Sequence, residues 1–117
     1  MPLEELARLI RDRRVSAEEV TRTCLTRIER LEPRLRAFIT VTAEAALAEA
    51  RAADAAVGAG RAGALAGVPV GLKDLFDTAG VRTTGGSRIF AERVPAEDAA
   101  VVARLRAAGA VSVGKTN

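Results

Sequence analysis

The chain has 117 residues, 49% of them hydrophobic and 28% charged, with a formal net charge of +3 and no histidine. That length suits one ordinary domain, the apolar content argues against a disordered chain, and no apolar run approaches the ~20 residues needed to cross a bilayer. Without histidine these residues hold no His-based triad and no His-ligated metal, so a base here has to be a carboxylate or one of two lysines, Lys73 and Lys115.

Pro2 ahead of Leu3, Leu6, Leu9 and Ile10 predicts a short first helix, with proline where its missing N–H is harmless. Ser16-Ala17-Glu18-Glu19 is a capping box. Behind it Val20, Cys24, Ile28 and Leu31 lay one apolar stripe along a second helix, which Pro33 is expected to end. Ala37 to Val41 reads as a strand, and the Ala, Glu and Leu of residues 43–57 as a helix closed by Gly58 and Gly60. Val68-Pro69-Val70-Gly71-Leu72 reads as a short strand, with Pro69 placing it at an edge or a strand start. Asp74 to Arg93 reads as loop. Glu97 and Asp98 are expected in the first turn of a fourth helix that Gly109 stops, and Ala110 to Val113 forms a last strand. Helices alternating with short apolar strands predict an α/β layered fold. Three strands and four helices would leave sheet edges bare, so the chain reads as the front piece of a larger domain, aggregation-prone by itself.

The charge is thinly spread. Residues 1–36 carry nine basic and seven acidic groups, residues 37–67 two and three, and residues 68–117 seven and five. No basic stripe emerges, and no Trp or Tyr is present to stack on bases, so no nucleic-acid contact is expected. A lone cysteine, Cys24, fits a reducing, cytoplasmic setting and, within an apolar stripe, reads as a structural thiol. The acidic start, Met1-Pro2-Leu3-Glu4-Glu5, lacks a signal-peptide pattern.

Two segments invite chemistry. Gly109-Ala110-Val111-Ser112-Val113-Gly114-Lys115-Thr116 satisfies the written phosphate-loop pattern. A phosphate loop needs a strand before its first glycine and a helix after it. Here a helix precedes Gly109 and the loop positions are themselves strand-like, so nucleotide binding is not expected. Lys73 is the stronger candidate. Strand alternation puts Val68, Val70, Leu72 and Asp74 on one face, and Pro69, Gly71 and Lys73 on the other, where little side-chain bulk leaves room for a cleft. The hydroxyls of Thr83-Thr84-Gly85-Gly86-Ser87 are expected to line that cleft. A strand's C-terminal end is where open α/β sheets place chemistry. The plain alternative is a solvated Lys-Asp turn. A solvated amine must lose its proton before it can act as a base at neutral pH, which costs about 4 kcal/mol.

Four stretches, taken in order, resemble the opening of the amidase signature family. They are Ala66-Gly67-Val68-Pro69-Val70-Gly71-Leu72-Lys73-Asp74, Gly80-Val81-Arg82-Thr83-Thr84-Gly85-Gly86-Ser87, Asp98 to Ala110, and Gly114-Lys115-Thr116-Asn117. The resemblance is weak up to residue 60 and dense from residue 65. It implies the N-terminal part of a layered α/β/α fold with a mixed central sheet: a helical lead-in over residues 1–36 and the start of the core over 37–117. It also implies amide-bond hydrolysis by a Ser–cis-Ser–Lys triad, with Lys73 as the catalytic lysine and no cofactor or metal. The serine pair lies in a Gly/Ser-rich segment further along the family's chain, and Ser16, Ser87 and Ser112 are not in such a segment. The chain is therefore expected to be inactive alone. In this pattern Lys115 is a strand-end residue and Ser87 a lining residue. The partners implied are a small-molecule amide substrate and either a second copy of the chain or the other subunits of a glutamyl/aspartyl-tRNA amidotransferase, whose A subunit is a family member. Leu75, where that subunit more often carries Asn, tilts the reading toward a general amidase. The alternative in another class is a non-catalytic interaction module.

Overall fold

The capping signals place the first two helices. The computed structural model, which describes residues 1–117, starts α1 at Leu3–Arg11 directly after Pro2 and α2 at Ala17–Leu35 after Ser16. Ser16 and Glu19 form the reciprocal capping box. The Asp54 carboxylate adds a second cap from a distant helix, accepting from Ala17 N at 2.7 Å and Glu18 N at 3.1 Å. An anion at a helix N-terminus meets both the free N–H groups and the positive end of the dipole.

Contrary to expectation, α2 runs through Pro33. The missing N–H costs the carbonyl of Glu29, an exposed residue, one helix bond. Arg36 N donates to Glu32 O at 2.8 Å and closes the last turn. Strand β1 follows at Phe38–Val41, then helix α3 at Ala43–Gly58. Ala46, Ala50, Ala53 and Val57 share one buried face of α3. They pack with Ile10, Ala17, Ala66, Val111 and Val113, and Val20, Cys24, Leu25 and Ile28 of α2 lie against that cluster half-buried. Because most of these side chains are methyl-sized, the layers can approach closely.

Strand β2 spans Pro69–Lys73, a 3-10 turn spans Arg88–Phe90, helix α4 spans Ala100–Ala107 and strand β3 spans Val111–Thr116. The fourth helix therefore starts after Glu97 and Asp98, not with them. The Asp98 carboxylate is committed elsewhere, accepting from Ala79 N at 2.7 Å and pairing with Arg106 at 3.0 Å. The last strand also runs three residues further than expected, through Gly114, Lys115 and Thr116. The sheet order is β1-β3-β2, with β1 antiparallel and β2 parallel to the central β3, a mixed sheet. Pro69 sits in an edge strand, as its missing N–H requires.

One irregularity sets the faces of this sheet. Val70 pairs with Ser112, but Gly71 pairs with Gly114, so Val113 is an extra residue on β3. Leu72 is then paired with Lys115, and Lys73 with Thr116. The bulge needs a glycine. Gly114 has φ +152°, and a Cβ there would lie 2.3 Å from the Thr40 carbonyl oxygen. Gly114→Ala is expected to destabilise the protein by at least about 2 kcal/mol. Gly60→Ala, strained only by its φ of +72° in open space, should cost about 1 kcal/mol. Chemical unfolding of the two variants measures the difference.

Candidate active site

The C-terminal ends of β2 and β3 carry both lysines, and the two have opposite surroundings. Lys73 is exposed at the end of β2. Its neighbour Asp74 is 2% exposed on the opposite side, so the alternation read from the strand holds and the carboxylate does not face the Lys73 amine. The backbone at this point is fixed by Asp74 N donating to Thr116 O at 2.9 Å and Phe76 N donating to Lys73 O at 3.0 Å.

Lys115 is fully buried, 0% exposed. Its Nζ donates to Phe76 O at 2.6 Å, Thr78 Oγ1 at 2.9 Å and Thr83 Oγ1 at 2.9 Å. Each hydroxyl has already spent its own proton: Thr78 Oγ1 donates to Phe76 O at 3.1 Å and Thr83 Oγ1 to Val81 O at 3.0 Å. All three partners are thus acceptors, and only an amine with three protons satisfies them. Burial pushes the Lys115 amine down from the usual lysine range, and Arg93 adds to that. The Asp74, Asp77 and Asp98 carboxylates push it back up. The hydrogen-bond set decides for the ammonium. A lysine locked in this form has no lone pair to accept a proton and no free N–H to offer a phosphate. Helix α4 precedes Gly109 and the Gly-Lys-Thr stretch continues β3 past Val113, where the strand was expected to stop, so the order of elements is not that of a phosphate loop.

The threonine-glycine loop behaves differently from expectation. The Thr83 and Thr84 hydroxyls do not line the Lys73 side of the sheet. Thr83 faces Lys115, and Thr84 donates to Asp74 Oδ2 through both its hydroxyl and its backbone N–H. Gly85 N donates to Asp74 O at 2.8 Å. Ser87 caps the 3-10 turn by accepting from Ile89 N at 3.2 Å. What the sequence reading missed is this buried polar layer beneath the strand ends. The signal was present in three threonines, Thr78, Thr83 and Thr84, within a loop that has few apolar positions to bury. Asp74 Oδ1 is buried without a partner. Arg93 holds Asp77 through two bonds of 2.7 and 2.6 Å, and this keeps the Asp77 carboxyl below its usual range. Cys24 is half-buried, and burial pushes its thiol up, against a smaller pull from Arg27, which fits a structural thiol. No helix is long and apolar enough to cross a membrane.

With this geometry the chain can be set beside known proteins. The family model described as Amidase matches residues 19–117. The chain belongs to the amidase family. In Pseudomonas entomophila, the A subunit of glutamyl-tRNA(Gln) amidotransferase is 51% identical over 117 residues, 100% of this chain and 24% of the relative. The corresponding protein of an Azoarcus species is 53% identical over 115 residues, 98% of this chain and 24% of its own. Among solved structures, the native peptide amidase of Stenotrophomonas maltophilia superposes with a TM-score of 0.93 at 37% identity, covering 100% of this chain and 24% of that enzyme. A chain from a vestigial protein complex bearing on the origins of an s-triazine catabolic enzyme superposes at 0.95 with 39% identity, covering 100% and 26%. This amidase-family chain thus spans about a quarter of the length of the curated relatives it matches.

Thr84→Val tests the buried layer. It removes the hydroxyl from a carboxylate whose other oxygen is already unpartnered, and is expected to cost about 1–3 kcal/mol of stability. Thr26→Val, on the exposed side of α2, should stay within about 0.5 kcal/mol, and urea titration of the two variants measures the difference.

Proposed function

We propose that this segment supplies the lysine base of an amide hydrolase of the Ser–cis-Ser–Lys type, with Lys73 in that role. Residues 1–36 lead into that enzyme's domain and residues 37–117 begin its core. The observation that carries the reading is the match of residues 19–117 to the Amidase family, and the contrast between the two lysines selects which one serves. Lys115 is committed as an ammonium with all three protons in use, whereas Lys73 is exposed on the open side of a strand end, away from the Asp74 carboxylate. In that role the Lys73 amine accepts the proton of a bridging serine, which accepts the proton of the nucleophilic serine as that oxygen attacks the amide carbon. The proton held by Lys73 passes back through the bridging serine to the substrate nitrogen as the C–N bond breaks and the amine leaves, and water then hydrolyses the acyl-enzyme. Ser16 caps a helix, Ser87 caps a 3-10 turn and Ser112 lies within β3, and the reading assigns the serine pair to none of them.

The relatives at 51% and 53% identity favour a second, finer reading, in which the hydrolase acts as the A subunit of a tRNA-dependent amidotransferase. Leu75, which tilts toward a general amidase, is an exposed side chain and a single position. The two readings separate in one assay: an amidotransferase component releases ammonia from glutamine only with its partner subunits, and a general amidase cleaves simple amides alone.

In the full-length gene product, Lys73→Ala is expected to lower kcat on a primary amide by at least about a thousandfold. A loss smaller than threefold overturns the reading. The 117-residue chain alone is expected to turn over no amide, and turnover that Lys73→Ala abolishes would overturn the assignment of the serines.

A further inference from the structure

Residues 74–99 contain little regular structure: one 3-10 turn and one isolated bridge between Thr78 and Val81. Yet this segment leaves β2 directly after Lys73, so its position bears on the lysine. An irregular loop with few buried apolar side chains needs another restraint, and a buried charge with directional bonds is a strong one. Lys115 is the residue that supplies it. All three of its acceptors lie between Phe76 and Thr83, more than thirty positions away in sequence. Its own backbone is pinned on both sides, because β3 is the central strand, opposite Leu72 of β2 and Thr40 of β1. The bulge at Val113 is what turns Lys115 to the Leu72 face and leaves Thr116 opposite Lys73.

The loop is held at a second point on the same face. Asp74 receives the Thr84 hydroxyl and the Thr84 and Gly85 amides, and Thr84 adjoins Thr83. The cation binds the loop through Thr83 and the anion through Thr84. Lys73 is the residue immediately before this two-point attachment.

We propose that Lys115 is a positioning residue, whose buried ammonium clamps the 76–83 loop under the end of the sheet and so fixes the backbone that carries Lys73. The proposal rests on the reading of Lys73 as the base. It assigns the Gly-Lys-Thr stretch a role that is neither phosphate binding nor proton transfer. The clamp acts by geometry: a shift of the Lys73 backbone moves the amine away from the serine hydroxyl it serves.

The test uses the full-length gene product in three variants. Thr83→Val keeps the shape of the side chain and removes one acceptor, Lys115→Met removes the charge, and Ser16→Ala weakens the α2 cap far from the site. Amide hydrogen exchange and steady-state hydrolysis of glutamine and of a peptide carboxamide are measured on each. The clamp predicts that Thr83→Val speeds exchange across 76–85 by about tenfold or more over that of α3, and lowers kcat by about tenfold while KM changes less than about threefold. Lys115→Met is expected to do the same or more, and Ser16→Ala to leave kcat unchanged. If Lys115→Met does not fold, Thr83→Val decides. Unchanged loop exchange in Thr83→Val overturns the clamp. Faster exchange with unchanged kcat overturns its link to Lys73. Retained activity in Lys73→Ala, the variant of the preceding test measured alongside these three, marks failure of the functional reading instead, and the exchange data then judge the clamp alone.

Discussion

A lysine ammonium buried in the middle of a three-stranded sheet is costly unless every proton finds an acceptor. Lys115 finds three, all from one loop, and much of the local architecture follows from that. The loop must reach back beneath the sheet, its threonines must turn inward, and β3 must extend to carry the lysine past the point where Val113 breaks the register. Gly114 makes the last requirement possible, since any side chain there would strike the Thr40 carbonyl. Asp74 completes the layer with opposite charge, so the buried region holds a cation and an anion, each bonded through a neighbouring threonine.

The same constraint sorts the two lysines chemically. Residues one position apart in strand register, Leu72 opposite Lys115 and Lys73 opposite Thr116, point to different faces. One face is sealed and polar, and its amine is saturated with acceptors. The other is open at the strand end, the place where parallel strands present their reactive groups. The backbone of the whole segment superposes on that of peptide amidase with a TM-score of 0.93.

Elements with strong local signals were legible in the sequence. Ser16 with Glu19 marked the start of α2, the alanine spacing marked α3, and Pro69 marked an edge strand. Boundaries set by distant partners were not. The Asp98 carboxylate looks like a first-turn residue until Ala79 and Arg106 are seen to claim it. Pro33 looks like a terminator because sequence alone does not tell that the turn it interrupts continues to Leu35 and is closed by Arg36. The continuation of β3 through Gly114, Lys115 and Thr116 was not legible because a lysine is rarely buried, and its three acceptors come from over thirty residues away. At the site, alternation was enough to separate Lys73 from Asp74. The inward turn of Thr83 and Thr84 depended on tertiary partners that no local pattern encodes.

The most direct test of this account is a crystal structure of the full-length gene product. The account predicts the Lys73 Nζ within hydrogen-bond distance, at most about 3.2 Å, of a serine hydroxyl contributed from outside these residues. A Lys73 side chain extending into bulk water, remote from every serine, would contradict it.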